Sequence, residues 1–409
     1  MRPTRTRFRR ACVATVAAGL IVTSAAACSA YAAPTPEPSV SAAPSAAADT
    51  EFPQLTPAVA AKLDAAVRKV LTEAQVPGVI VGLWAPGKGS YVRTFGVADK
   101  ATGSPMETGF NMRIGSETKT FTVTALLELV DQGKLGLDDP IGKYIQGVPN
   151  GDRITLRELA GMRSGLFNYS EDADFGKALA ADPYRHFAPQ ELLDYSFKHP
   201  VQFQPNEKWQ YSNTNLILLG LVVEKIGGLP INEFIRQEVL EPAGLRRTVF
   251  PTDASFPDPH PQGYTELPPS NKVALATDWN PSWAWAAGAM ISDLMDLRSW
   301  ARTLATGTLL TPATQAERLK TTSIGIPGAG YGLGIFVVQD WIGHNGSLPG
   351  YESLTIYLPE EQATLVVLLN TDITHEGQEP STLFGEAITG IVTPDHVYPG
   401  HKPTTPKAG

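Results

Sequence analysis

The amino-acid sequence predicts a mixed α/β (α+β) fold: one antiparallel sheet flanked by an N-terminal and a C-terminal helix, with a mainly helical region inserted. Three observations lead there. Strand-like runs rich in Val, Ile, Leu, Tyr and Phe cluster at two distant places, within 79–95 and within 334–369. Apolar residues recur at helical spacing just before the first cluster and just after the second. The long stretch between the clusters reads mostly as helices broken by Pro/Gly loops. Strands at both ends with helices between imply a single sheet completed by distant segments.

Taken in order, the first ten residues carry five arginines and no acid, and an apolar run of Ala, Val, Leu and Ile follows to about Ala27. That is the layout of an export signal, expected over 1–28. Two cleavage patterns compete. Ala30-Tyr31-Ala32 has the small-x-small form that releases a soluble chain, whereas Ala25-Ala26-Ala27-Cys28 resembles a lipobox, although alanine stands where leucine is usual. Only Cys12 and Cys28 are cysteines, and one of them ends the apolar run, which favours lipidation at Cys28. The expected location is therefore the outer face of the cell membrane, as a lipoprotein, or secreted. Residues 29–52 are mostly Ala, Pro and Ser and read as an extended tether. A folded domain is expected over 53–395 and a tail over 396–409.

Thr56-Pro57 supplies a helix cap and a first-turn proline, and Val59, Leu63, Val67, Val70 and Leu71 continue a helix to about Ala74. The runs 79–85 and 90–95 flank Pro86-Gly87-Lys88-Gly89 and read as a hairpin. After Gly115, the residues Val123, Leu126, Leu127 and Val130 mark a helix ending near Gly133. Loops such as Leu267-Pro268-Pro269-Ser270 interrupt the middle. Strands are expected at 334–338, 354–358 and 363–369, and Leu383, Phe384, Ala387, Ile388 and Ile391 form the closing helix.

At 409 residues, with 43% hydrophobic and 18% charged residues, the chain lies outside the composition of disordered proteins. The formal net charge of −8, with no basic run after the first ten residues, argues against nucleic acid as a partner. The domain holds no cysteine, so neither a disulfide nor a thiol nucleophile is available. Neither the zinc pattern His-Glu-x-x-His nor the Gly-x-Ser-x-Gly elbow occurs.

Three short motifs can carry chemistry. In Gly115-Ser116-Glu117-Thr118-Lys119 the serine and lysine are three apart, so the amine sits one helical turn from the hydroxyl. A lysine kept neutral by burial can take the serine proton, and the free N–H groups of a helix start can hold an oxyanion. The plainer reading is an N-cap serine beside a solvated lysine. Tyr211-Ser212-Asn213 precedes an apolar helix and offers a phenol and an amide, or merely a cap. His344-Asn345-Gly346-Ser347 lies among the late strands, where Asn-Gly also suits a hairpin turn.

Together and in this order, the three motifs resemble the penicillin-recognising serine hydrolases, with a β-lactamase/transpeptidase-like fold. Secreted actinobacterial D-alanyl-D-alanine carboxypeptidases are the most similar group, followed by class C β-lactamases and related carboxylesterases. Phe95-Gly96-Val97-Ala98-Asp99, Arg163-Ser164-Gly165-Leu166, Ala287-Gly288-Ala289 and Tyr331-Gly332-Leu333-Gly334 also look like family segments. The resemblance implies that Ser116 is acylated, Lys119 accepts its proton and Tyr211 relays protons. It implies that Asn213 binds the acyl-side amide, that the N–H groups of Ser116 and Ser347 form an oxyanion hole, and that His344, Asn345, Gly346 and Ser347 edge the substrate site. No cofactor or metal is implied.

One departure bears on substrate. Relatives that act on carboxylate-ended substrates hold that group with a threonine in the middle of the late motif and a nearby cation. Here the middle residue is Asn345, Ile335-Phe336 stands where a related carboxypeptidase has an arginine, and no Lys or Arg occurs from Thr321 through His401. Arg113, Arg163 and Arg185 are the remaining candidates for that cation. The expected function is acyl hydrolysis at the cell envelope through an acyl-enzyme on Ser116, on a small-molecule or peptidoglycan-derived substrate, as in D-alanyl-D-alanine carboxypeptidases. The alternatives are a carboxylesterase or amidase on other substrates, and a wall-binding module with an inactive site.

Overall fold

The computed structural model describes residues 52–267 and 272–398. The proposed signal, Cys28 and nearly all of the tether lie outside the described residues. Thr56 caps the first helix, Pro57–Glu73, by accepting from the Val59 N–H. The chain then forms the hairpin Gly78–Ala85 and Gly89–Asp99. Its first strand pairs antiparallel with the last, Ala363–Leu369, with Val79 opposite Leu369 and Trp84 opposite Thr364. Distant ends of the sequence thus meet at the middle of one nine-stranded antiparallel sheet. From Ala363–Leu369 the sheet continues through Tyr351–Leu358, Trp341–Leu348, Phe336–Val338 and Ala329–Tyr331 to Thr322–Ser323 at one edge, and Ser104–Pro105 forms the other edge.

Alternation along the central strands divides the interior. Val79, Val81, Leu83, Leu365, Val367 and Leu369 face the first helix and the closing helix, Pro380–Val392, through Leu63, Val67, Phe384 and Ile388. Ile80, Trp84, Val366 and Leu368 face the other way, onto the inserted helices. Phe384 is fully buried in the first layer. Truncating Phe384→Ala is expected to cost about 3–5 kcal/mol, read as a shift of the urea midpoint at unchanged m-value.

The helix Thr118–Asp131 is buried on almost every side, between the sheet and the helix Asn213–Gly227. Its threonines are compatible with burial because their hydroxyls are bonded. Thr122 donates to the Ala286 carbonyl, Thr124 to that of Thr120, and Thr120 accepts from the Trp300 indole.

Two differences from the sequence reading stand out. Residues 396–398 belong to the folded domain and not to a tail, because Trp341 Nε1 donates to the His396 carbonyl and the buried Tyr398 donates its N–H to Thr389. The helical region also contains the hairpin Tyr264–Leu267 and Lys272–Leu275, whose second strand is largely exposed and has no long apolar run to announce it.

Candidate active site

Ser116 sits in a single 3₁₀ turn, Gly115–Glu117, that feeds directly into the helix Thr118–Asp131. Gly115 has φ +50°, a conformation glycine adopts without strain. The turn is fixed on both sides: the Ile114 N–H donates to the Met290 carbonyl, and the Ser353 hydroxyl donates to the Ile114 carbonyl. The expected helical pairing is present. Lys119 Nζ lies 2.8 Å from Ser116 Oγ and donates to the Ala287 carbonyl at 2.7 Å.

Lys119 is fully buried, and among the described residues no carboxylate pairs with it. Burial lowers its pKa well below that of a free lysine. The nearest acid in sequence, Glu117, offers no counter-charge, since burial raises its carboxyl to about 8. Lys119 Nζ also stands 4.8 Å from the centre of the Tyr211 ring. Burial raises the Tyr211 phenol above its usual range, a hydrogen bond with Ser116 opposes this, and the Glu379 charge adds to it. The three side chains therefore form one connected unit in which burial disfavours the charged forms of the amine and the phenol alike.

The late motif is a strand and not a hairpin turn. Residues 344–347 lie inside Trp341–Leu348, and the chain reverses at Pro349-Gly350. Gly346 is required there, because a Cβ at that position would lie 2.0 Å from the Ile114 carbonyl oxygen and 2.9 Å from Ser116 N. A Cβ on Gly115 would meet Ser347 N at 2.5 Å. Two glycines thus bring the backbone of the serine turn and the Ser347 N–H together, as two convergent donors require.

His344 is buried among Tyr211, Tyr331 and Phe336. Its Nδ1 bonds the Asn345 carbonyl, so Nδ1 carries the proton and Nε2 faces the Tyr331 hydroxyl at 3.3 Å. Burial first, and then the Lys119 charge, lower its pKa to about 3. His344 is therefore a neutral polar wall and not a cation.

Ser116, Tyr211 and His344–Ser347 all line one cavity of about 750 Å³. Asn213 is not among its lining residues: its amide donates to Ser170, and its N–H donates to Asn168. None of the three candidate arginines reaches the cavity. Arg113 is buried against backbone carbonyls of Ala254, Thr277 and Trp279, Arg185 pairs with Glu191, and Arg163 lines a separate depression. Residues that motif reading missed complete the walls: Trp209, Phe336, Thr382, Tyr398 and, most consequentially, Glu379. Glu379 accepts from the Asn345 amide and stands just before Pro380 of the closing helix. A single acid beside a proline carries no periodic or motif signal, so only the fold reveals it.

The family model described as beta-lactamase matches residues 63–384. A penicillin-binding protein of Bacillus subtilis (strain 168) is 25% identical over 307 residues, covering 69% of this chain, and the chain spans 65% of that relative's length. The crystal structure of a D-stereospecific amidohydrolase from Streptomyces sp. superposes with a TM-score of 0.72 at 30% identity, covering 81% of this chain and 98% of that one. D-amino acid amidase from Ochrobactrum anthropi SV3, complexed with L-phenylalanine amide, gives 0.69 at 27% identity, covering 82% and 97%. The chain belongs to the beta-lactamase family and is a serine hydrolase with the fold shared by penicillin-binding proteins and D-amino acid amidases.

Proposed function

We propose that this chain hydrolyses amides or esters through an acyl-enzyme on Ser116, and that its substrates carry no carboxylate beside the scissile bond. The observation that carries the reading is the buried Lys119 amine, without a carboxylate partner among the described residues, 2.8 Å from Ser116 Oγ at the edge of the cavity. In acylation, Lys119 Nζ takes the Ser116 proton as the Oγ–C bond forms. The oxyanion is held by the N–H groups of Ser116 and Ser347. The tetrahedral species collapses with cleavage of the C–N or C–O bond, and the leaving group takes a proton relayed through Tyr211. Water then attacks the acyl-enzyme, and its proton returns through the same groups to restore Ser116 and Lys119. We further propose that the chain is exported, with Cys28 as a lipid anchor.

The amidase and esterase reading is supported by the lack of a cation among the described residues lining the cavity and by the likeness to D-amino acid amidases. The penicillin-binding relatives favour a carboxypeptidase-like second reading. A steady-state comparison separates them. Turnover of D-amino acid amides or neutral esters, with little turnover of acyl-D-alanyl-D-alanine and no stable labelling by penicillin, is the expected result. Efficient release of D-alanine, or rapid penicillin labelling of Ser116, would favour the carboxypeptidase.

The pH profile follows from the site. Only neutral Lys119 accepts a proton, so kcat/KM falls as pH drops through its depressed pKa and rises to a plateau above it. His344 stays neutral down to about 3 and adds no limb near neutrality, and the raised phenol pKa keeps the plateau from falling below about pH 10. A His344→Gln variant is expected to retain the acid limb. Loss of that limb would reassign it to the histidine.

A further inference from the structure

After the closing helix the chain turns back along the domain, and the described residues end at Tyr398. Three hydrogen bonds pin this last segment. The Trp341 indole donates to the His396 carbonyl at 2.8 Å, the His396 N–H donates to the Thr393 carbonyl at 2.8 Å, and the Tyr398 N–H donates to Thr389 Oγ1 at 2.9 Å. Gly385 of the closing helix leaves room for the ring, since a Cβ there would stand 3.2 Å from Tyr398 and 2.7 Å from Leu354. Thr382, one turn before Gly385, lines the Ser116 cavity, and so does Tyr398. Tyr398 thus belongs to the wall that the closing helix forms beside the late motif.

Among the described residues lining the cavity, the buried polar side chains are His344, Thr382 and Tyr398. His344 bonds the Asn345 carbonyl and faces the Tyr331 hydroxyl, and Thr382 donates to the Glu379 carbonyl. Tyr398 is only 5% exposed, yet its phenol oxygen has no hydrogen-bond partner among the described residues. That oxygen is not sealed in the interior, so it opens on the cavity the residue lines. Burial raises the phenol above its usual range, which keeps it an O–H donor at working pH. A buried hydroxyl without a protein partner is costly unless something in the cavity completes it. Asn213 leaves the same kind of role open, because its amide is turned to Ser170 outside the cavity.

We infer that Tyr398 is a specificity-determining residue that donates its phenolic O–H to an uncharged carbonyl of the substrate, an amide or an ester group carried on the leaving-group side of the scissile bond. The inference rests on the acyl-hydrolase reading above and deepens it. A carboxypeptidase releases an amino acid whose carboxylate lies on that side, next to the late motif. Here Asn345 replaces the threonine and no Lys or Arg is among the described residues lining the cavity. A phenol satisfies a carbonyl with one neutral hydrogen bond but cannot neutralise an acid.

The test uses the full chain and three esters with one acyl group, whose leaving alcohols carry a carboxamide, an isopropyl group or a carboxylate at the same carbon. Hydrolysis is followed by acid release at constant pH. The wild type is expected to prefer the carboxamide ester to the isopropyl ester by about 10-fold in kcat/KM, chiefly through KM, and to handle the carboxylate ester less well than the carboxamide. Tyr398→Phe keeps the ring and collapses the carboxamide-to-isopropyl ratio towards one, with the loss falling on the carboxamide ester. Each ratio is taken within one preparation, so a partly folded variant does not distort it, and the wild-type ratio needs no variant. Equal turnover of the carboxamide and isopropyl esters by the wild type, or a ratio that survives Tyr398→Phe because both esters lose equally, overturns the role of Tyr398 alone. Preference for the carboxylate ester overturns the uncharged substrate class. Failure of the wild type to hydrolyse any of the three overturns the acyl-hydrolase reading, and this inference with it.

Discussion

Lys119→Ala lowers the rate of Ser116 acylation by about 10³- to 10⁴-fold, measured as the pre-steady-state burst with an activated ester. The size follows from the site's economy. Among the described residues, the amine's hydrogen-bond partners are Ser116 Oγ at 2.8 Å and the Ala287 carbonyl. Tyr211 cannot replace it as base at neutral pH because its phenol is held in the protonated form. Lys119→Arg does not rescue, since a guanidinium stays protonated even when buried. Thermal stability is expected to be unchanged or higher in Lys119→Ala, because an amine lacking a carboxylate partner leaves the interior. A variant that lost activity only in proportion to lost folded protein would argue against the proton-accepting role.

Gly346→Ala is expected to cost nearly as much, about 10²- to 10³-fold in kcat, from the opposite side of the site. The added methyl carbon would stand 2.0 Å from the Ile114 carbonyl oxygen and 2.9 Å from Ser116 N, so the strand and the serine turn must part. Parting them moves the Ser347 N–H away from Ser116, which separates the two proposed oxyanion donors while leaving Lys119 and Tyr211 on their own elements. The signature is therefore a fall in kcat with an acid limb at unchanged pH, accompanied by a lower melting temperature. Wild-type kcat in a folded Gly346→Ala protein would show that the two backbones need not touch.

Much of this arrangement is legible in the sequence because its signals are local. Thr56-Pro57 caps the first helix where expected, and the spacing of Ser116 and Lys119 delivers the observed contact. That 79–85 and 363–369 belong to one sheet is expected from the two distant strand-like clusters, and the fold pairs them directly. Other features depend on tertiary context. Asn345-Gly346 has the local chemistry of a hairpin turn, yet it lies mid-strand, because the glycine there answers a steric demand from Ile114, more than two hundred residues away in sequence. Asn213 opens the expected helix, but its amide donates to Ser170 of the neighbouring turn. The missing late-strand cation was visible as an absence of Lys and Arg, whereas the carboxylate that fills its place was not, since Glu379 enters the cavity only once the closing helix docks on the sheet.

One covalent bond tests the roles of Ser116 and Lys119 most directly. Treating the wild type with a fluorophosphonate and mapping the adduct by peptide mass spectrometry should locate a single phosphonyl group on Ser116. Lys119→Ala, treated in parallel, should react at least a hundredfold more slowly at the same residue. An adduct on any other serine, or equal labelling rates in the two proteins, would contradict the assignment of Ser116 and Lys119 as nucleophile and base.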